Sequence, residues 1–214
     1  MTERPEMPYE KAITETAKAT GKVVDLVDKA SPAISNIYNW MIGDRIAQAR
    51  ERNLDQFQRK TKRIIEERDL ADKTTPIPES LAVPLLEAAQ GEPREELQEI
   101  FAALLANAMD PDYADLVRPD FVETVRAWHP IDILTMTLAM NRLDASKPYF
   151  NEGDLAAAYH LRQSAASFSV EHLVKLNCLR QNPNSGFMIT PYGQEIMIAS
   201  SATPPLEAKR RAPR

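Results

Sequence analysis

At 214 residues, with 43% hydrophobic and 27% charged side chains, the chain can build one sizeable core or two small ones and is too apolar to be wholly disordered. Its one cysteine, Cys178, excludes an intramolecular disulfide and any cysteine-based metal cluster, so a reducing compartment is expected. A net charge of −5 disfavours nonspecific attraction to nucleic acid, the charged N-terminus lacks the apolar stretch of a secretory leader, and no run of about 20 apolar residues could span a bilayer, which points to a cytoplasmic protein.

Residues 8–29 read as an amphipathic helix with Ile13, Ala17, Val23, Val24 and Val27 on one thin apolar side. Ser31-Pro32 is a helix start, because a serine hydroxyl can accept from an orphan backbone N–H and proline at the first helical position loses no needed donor. From there Ile34, Ile37, Tyr38, Met41, Ile42, Ile46, Leu54, Phe57, Thr61, Ile64 and Ile65 recur at three- and four-residue steps to about residue 70. That predicts a helix about 57 Å long, more than a small domain is wide. It is expected to break near Gly43 or Asn53 or to pair with another helix, and residues 33–70 are the expected seat of a homo-oligomer.

Asp72 to Pro78 is a linker, since each residue before a proline is pushed out of the helical region. Helices follow over 79–90, ended by Gly91, and over 94–109, ended by Asp110-Pro111. In the second, Leu97, Ile100, Phe101, Leu104, Leu105 and Ala108 form a stripe opposite Glu95, Glu96 and Glu99. Asn107 lies one turn from its end, where an amide can bond free carbonyls or the following loop, which is a structural role. Asp110, Asp112 and Asp115 read as a helix-ending loop. Further helices are predicted over 119–127 and 130–143, then over 152–161 with Asn151 as cap, and from Ser167 or Ser169 to about 177. Cys178 to Arg180 and Phe187 to Thr190 flank an Asn/Pro/Ser/Gly turn and predict a β-hairpin, in which Cys178 is a packed thiol. Pro191 opens a closing helix.

The fold class is therefore mainly α: N-terminal long helices and a helical bundle, followed by a winged-helix-like C-terminal domain with a short β-hairpin. The expected units are 1–73, 74–128, 129–200 and a disordered basic tail, 201–214.

Charge is unevenly spread. Residues 75–115 carry nine acids against one base, Arg94, whereas the preceding segment is rich in bases, including Arg45, Arg50, Arg52, Arg59, Lys60, Lys62 and Arg63. These are either two solvated faces able to meet each other, or a basic strip in which Arg45, Arg52, Arg59 and Arg63 would dock a partner or a phosphate backbone.

No phosphate-cradling glycine loop or dinucleotide fingerprint is present. His129, His160 and His172 lack the paired spacing of a zinc site, and His160 with His172 is the pair a winged helix could bring together. No catalytic, cofactor-binding or metal-binding residue is expected, and the chain reads as a non-enzyme. A winged helix would set helix 168–177 in a DNA major groove, with Lys175 and Arg180 as candidate contacts and Asn184 on the wing beside Arg180. Lys175 and His172 stand against Glu171, so a protein-interaction module fits the charges better.

The run Glu95-Glu96-Leu97-Gln98-Glu99-Ile100-Phe101-Ala102-Ala103-Leu104-Leu105-Ala106-Asn107-Ala108-Met109-Asp110-Pro111 resembles the Abi-alpha (abortive infection alpha) family of bacterial proteins. So do Thr14 to Lys22, Arg118 to Glu123, and Trp128-His129-Pro130-Ile131-Asp132. The stretch from Leu104 to Pro111 is the most specific, with Leu104, Leu105, Asn107, Asp110 and Pro111 read as structural. The resemblance implies an antiphage role, in which an infected cell stops growing or dies before phage matures, and it brings no catalytic residues with it. The expected function is a non-enzymatic defence protein acting through another protein or through self-association, without a cofactor. The alternatives are a winged-helix transcriptional regulator and an effector that perturbs membranes through residues 8–29, whose thin apolar face would bind a membrane surface weakly.

Overall fold

The structure, a computed structural model, describes residues 47–143, 148–182 and 186–204. The predicted helix over 8–29, the Ser31-Pro32 start signal, Arg45, Asn184 and residues 205–214 lie outside them.

Helix α1 (Ala47–Glu67) carries the C-terminal half of the long predicted stripe. Leu54, Phe57, Ile64 and Ile65 are buried along it, and Thr61 joins them because its hydroxyl donates to the Phe57 carbonyl at 2.9 Å. The chain reverses at Asp69 (φ 54°) and runs extended to α2 (Glu79–Gly91). Helix α3 (Glu95–Met109) is the centre of the molecule, flanked by α1, α2 and α4 (Pro119–Arg126), with every residue from Ile100 to Met109 buried. Gln98 closes the α2 end from inside the core: its Nε2 donates to the carbonyls of Ala89 (2.6 Å), which also takes the Glu92 N–H, and of Glu92 (2.5 Å), where the helix terminus leaves carbonyls short of intrahelical donors.

Helices α5 (Pro130–Asn141), α6 (Glu152–Tyr159) and α7 (Gln163–Lys175) precede an antiparallel hairpin, β1 (Leu179–Asn182) with β2 (Gly186–Ile189), and a closing helix α8 (Pro191–Ala199). The register pairs Leu179 with Ile189 and Asn182 with Gly186. Phe150, between α5 and α6, bridges to Phe187 and extends the hairpin by one residue on its other edge. Asn151 caps α6, its side chain accepting from the Asp154 N–H, and Thr190 caps α8 through the Gly193 N–H at 2.9 Å. Mainly helical architecture with one short hairpin agrees with the sequence.

Two expectations are corrected. Helix α7 starts at Gln163 rather than at Ser167 or Ser169, because the Ser169 hydroxyl is buried and bonded to Asp132 and so caps nothing. The tail expected to be disordered from residue 201 begins ordered: Ser201 accepts a hydrogen bond from Asn107, and Pro204 is buried.

One hydrophobic cluster runs from Leu54 to Ala199 and joins the N-terminal bundle to the C-terminal elements. Helix α8 packs on both α3 and α5. Its Tyr192 stands edge-on to Phe121 of α4, ring centroids 5.6 Å apart, with its hydroxyl 2.8 Å from Thr124 Oγ1.

Candidate functional site

Asp132 is the third residue of α5, and its carboxylate, 1% exposed, organises the junction of α5 and α7. Oδ2 accepts the backbone N–H of His129 at 2.7 Å and faces His172 Nδ1 at 2.9 Å, while Oδ1 accepts the Ser169 hydroxyl at 2.6 Å. Ser169 Oγ also lies 2.8 Å from Thr135 Oγ1. A buried carboxylate is costly unless its lone pairs are filled, and three donors fill these.

Serine, histidine and aspartate meet here, yet not as a nucleophilic relay. Such a relay needs the imidazole to take the serine proton, whereas Ser169 is buried and gives its hydrogen to the carboxylate. The network orients a surface instead. The His172 ring stacks on Phe168 (6.2 Å, 19° between planes), and His129 approaches both, 5.7 Å from His172 and 6.3 Å from Phe168. Phe168 is 63% exposed and is the one large exposed hydrophobic side chain among the described residues. Arg94, from the α2–α3 turn, sets Nη1 3.4 Å from His129 Nδ1 while Glu92 holds its Nε and Nη2, each at 2.6 Å.

The histidine pair brought together is thus His129 with His172. His160 instead ends α6 in the left-handed conformation (φ 54°). Among the described residues no group of three or more His, Cys, Asp or Glu is arranged to hold a metal, and no helix is long and apolar enough to cross a membrane.

A second polar cluster gathers part of the predicted motif. Arg68, just past α1, donates from Nη1 to Asn107 Oδ1 at 2.5 Å and from Nη2 to the Asp110 carboxylate, and lies over the Tyr113 ring at 5.1 Å. Asn107 Nδ2 donates to the carbonyls of Ala199 (2.7 Å) and Ser201 (3.0 Å), so the free carbonyls it bonds belong to the end of α8. Asp110 Oδ1 also accepts the Asp112 N–H at 2.9 Å. Leu104 and Leu105 are buried in the core, and Pro111 is exposed.

The basic strip faces acids. Lys60 Nζ lies 3.1 Å from Glu95 and 3.0 Å from Glu99 on α3, Arg63 pairs with Glu99, and Arg59 reaches Asp55 at 2.5 Å within α1. Arg52, Lys175 and Arg180 are exposed. The structure does not bring the α1 arginines to Lys175 and Arg180 as one surface.

Cys178 is fully buried, its sulfur 3.7 Å from the Leu176 carbonyl. Burial pushes the thiol up to about 12, against an opposing contribution from the Trp128 indole, which leaves it protonated and unreactive.

Sequence reasoning missed Asp132, Ser169, Phe168 and Arg68. The available signals were the spacing of Phe168, Ser169 and His172 over one helical turn, and an aspartate three residues after a helix-starting His-Pro.

The family model described as abortive infection alpha matches residues 49–188, from the first turn of α1 into β2, and so takes in the Asp132 cluster and all of the Arg68 cluster except the α8 carbonyls. No curated protein and no solved structure matches the chain.

Proposed function

The chain belongs to the abortive infection alpha family, and on that premise we propose that it is a non-enzymatic antiphage defence protein that binds a protein partner through the face of α7 around Phe168. The observation that carries this reading is a 63% exposed phenylalanine stacked on a histidine that a buried carboxylate holds in place. An oriented apolar anchor of this kind loses little side-chain freedom on binding. The Ser169 hydroxyl, committed to Asp132, supports a binding role over catalysis. Self-association through α1 has less support: its apolar stripe is spent on α2 and α3, and Gln48, Arg52, Gln56, Arg59 and Lys62 form its outer side.

Phage challenge of cells expressing wild-type protein or Phe168→Ser, scored for survival and culture collapse, tests the reading. Loss of defence at unchanged protein abundance is expected. Full defence by a folded Phe168→Ser protein overturns the assignment to this face.

A second reading is a duplex-DNA-binding regulator. The order α5, α6, α7, hairpin, α8, with Phe150 bridged to Phe187, resembles a winged helix with α7 as its recognition helix. Salt-dependent binding to a duplex, lost when Lys175→Glu is combined with Arg180→Glu, is its expected signature, and no shift at low salt removes it.

A further inference from the structure

The segment that leaves α8, Ser200 to Pro204, lies as a strap against the end of α3; its first two N–H groups bond back to the Ile196 and Ile198 carbonyls of α8, and its polar attachment to α3 is narrow. Asn107 gives one amide hydrogen to the last carbonyl of α8, Ala199, and the other to the strap at the Ser201 carbonyl. Thr203 N–H turns back onto Ser201 Oγ at 3.3 Å, and Pro204 is buried. A side-chain amide can be turned over with almost no change of shape, exchanging its oxygen and nitrogen. Turned over, Asn107 would set its oxygen against two carbonyl oxygens and hold nothing. Arg68 and the two carbonyls select the same sense, because a guanidinium only donates and its Nη1 meets Oδ1 while the carbonyls only accept.

Arg68 lies just past the last residue of α1, and its N–H still bonds the Ile64 carbonyl at 3.2 Å. Asp110 and the Tyr113 ring hold the guanidinium from two other directions. The side chains of Arg68 and Asp110 are 13% and 3% exposed. Burying such a pair is expensive, and apolar side chains would join α1 to α3 as firmly, so the polar arrangement is suited to setting geometry rather than to adding stability.

We infer that Arg68 and Asn107 form a relay through which the position of α1 determines whether the strap is held. When the guanidinium withdraws, Oδ1 loses its donor, the amide is braced from the strap side alone, and the hold on the strap loosens. Anything that displaces the end of α1 is thereby felt at the opposite end of the described chain, with Ala199 92 residues from Asn107 in sequence.

Hydrogen exchange on the full chain tests the relay. Arg68→Met is expected to raise exchange of the Ser201 and Thr203 amides, whose bonds to the Ile198 carbonyl and Ser201 Oγ depend on the strap's seated course, about tenfold or more while the amides of α5 and α7 keep their protection. Asn107→Asp keeps an acceptor for Arg68 but offers the strap no donor, so it is expected to give the same local rise. The double variant is expected to show no more than the larger single effect, because both act on one contact. An unchanged strap in either single variant, effects that multiply in the double, or a rise spread over the whole chain overturns the relay. If Arg68→Met does not fold, Arg68→Lys keeps the charge beside Asp110 without reaching both acceptors. A strap-confined rise then supports the relay, and an unchanged strap overturns it.

Discussion

Asp132 and His172, 40 residues apart in sequence, meet at 2.9 Å between Oδ2 and Nδ1, and the same oxygen takes the backbone N–H of His129. One buried acid thus fixes the start of α5, the middle of α7 and the imidazole beside Phe168. Asp132→Ala leaves the His129 N–H without its acceptor and His172 Nδ1 without its partner, and leaves the Ser169 hydroxyl only Thr135 Oγ1. It is expected to cost about 2–4 kcal/mol, read as a lower urea midpoint, while Asp132→Asn, which keeps acceptor capacity, costs about 1–2 kcal/mol. An alanine variant within about 0.5 kcal/mol of wild type would show the network to be dispensable.

Cys178 makes stability depend on alkaline pH. Its thiol is pushed from the ordinary 9.0 to about 12 by burial, so across that interval the unfolded chain binds fewer protons than the folded one. The contribution is fully present below about pH 9 and is lost as pH rises toward 12, by up to about 1.4 kcal/mol per unit. Burial also pushes the Tyr192 phenol up, and its effect has the same sign, so the decisive measurement is the difference from Cys178→Ala. Denaturation midpoints from about pH 8.5 to 10.5 should fall more steeply for wild type. Parallel curves would mean that the thiol ionises in the folded state.

Lys60 answers two carboxylates on α3. Burial works against its charge, but hydrogen bonds and attraction from Glu99 and Glu95 outweigh that and raise its pKa. Lys60→Met is expected to cost less than about 1 kcal/mol, because the acids remain partly solvated. Lys60→Glu gathers three carboxylates at one helix crossing and is expected to cost about 1–2 kcal/mol, partly recovered in 1 M salt. Salt-independent loss would point to a packing defect instead.

Gly193 lies where α8 crosses the start of the hairpin, and a Cβ there would collide with the Cys178 carbonyl oxygen and crowd Ile189 Cγ1. Backbone cannot step aside as a flexible side chain can. Gly193→Ala is expected to destabilise by about 1–3 kcal/mol in thermal unfolding despite alanine's better helix propensity. A rise in Tm would show that α8 can shift on the hairpin.

Local chemistry was legible in the sequence. The α3 stripe from Leu97 to Ala108, the Pro191 helix start and the strands around the Asn182–Gly186 turn follow from periodicity, capping and turn rules over a few residues. What sequence left hidden is contact between distant side chains. Ser169 looks like a cap because serine usually is one, and only the arrival of Asp132 from α5 gives its hydroxyl another partner. Arg68 had no visible role because both its acceptors lie about 40 residues on. Asn107 was readable as a binder of free carbonyls, but not that α8 would supply them. The charges of α1 and α3 were legible as two faces, and their meeting at Lys60 and Arg63 follows from the packing of those helices.

The burial of α3 bears on how this protein can be dissected. From Ile100 to Asp110 no residue of the helix end is exposed, because α1, α2, α4 and α8 surround it. Sequence boundaries invite a cut near residue 128, yet a fragment ending there would bare the α3 surface that α8 covers, and its complement would bare the face of Tyr192 that rests on Phe121. Each half would present fresh apolar surface and tend to aggregate. Activity mapped with isolated halves would therefore report on misfolded material, and point substitutions in the whole chain are the cleaner instrument.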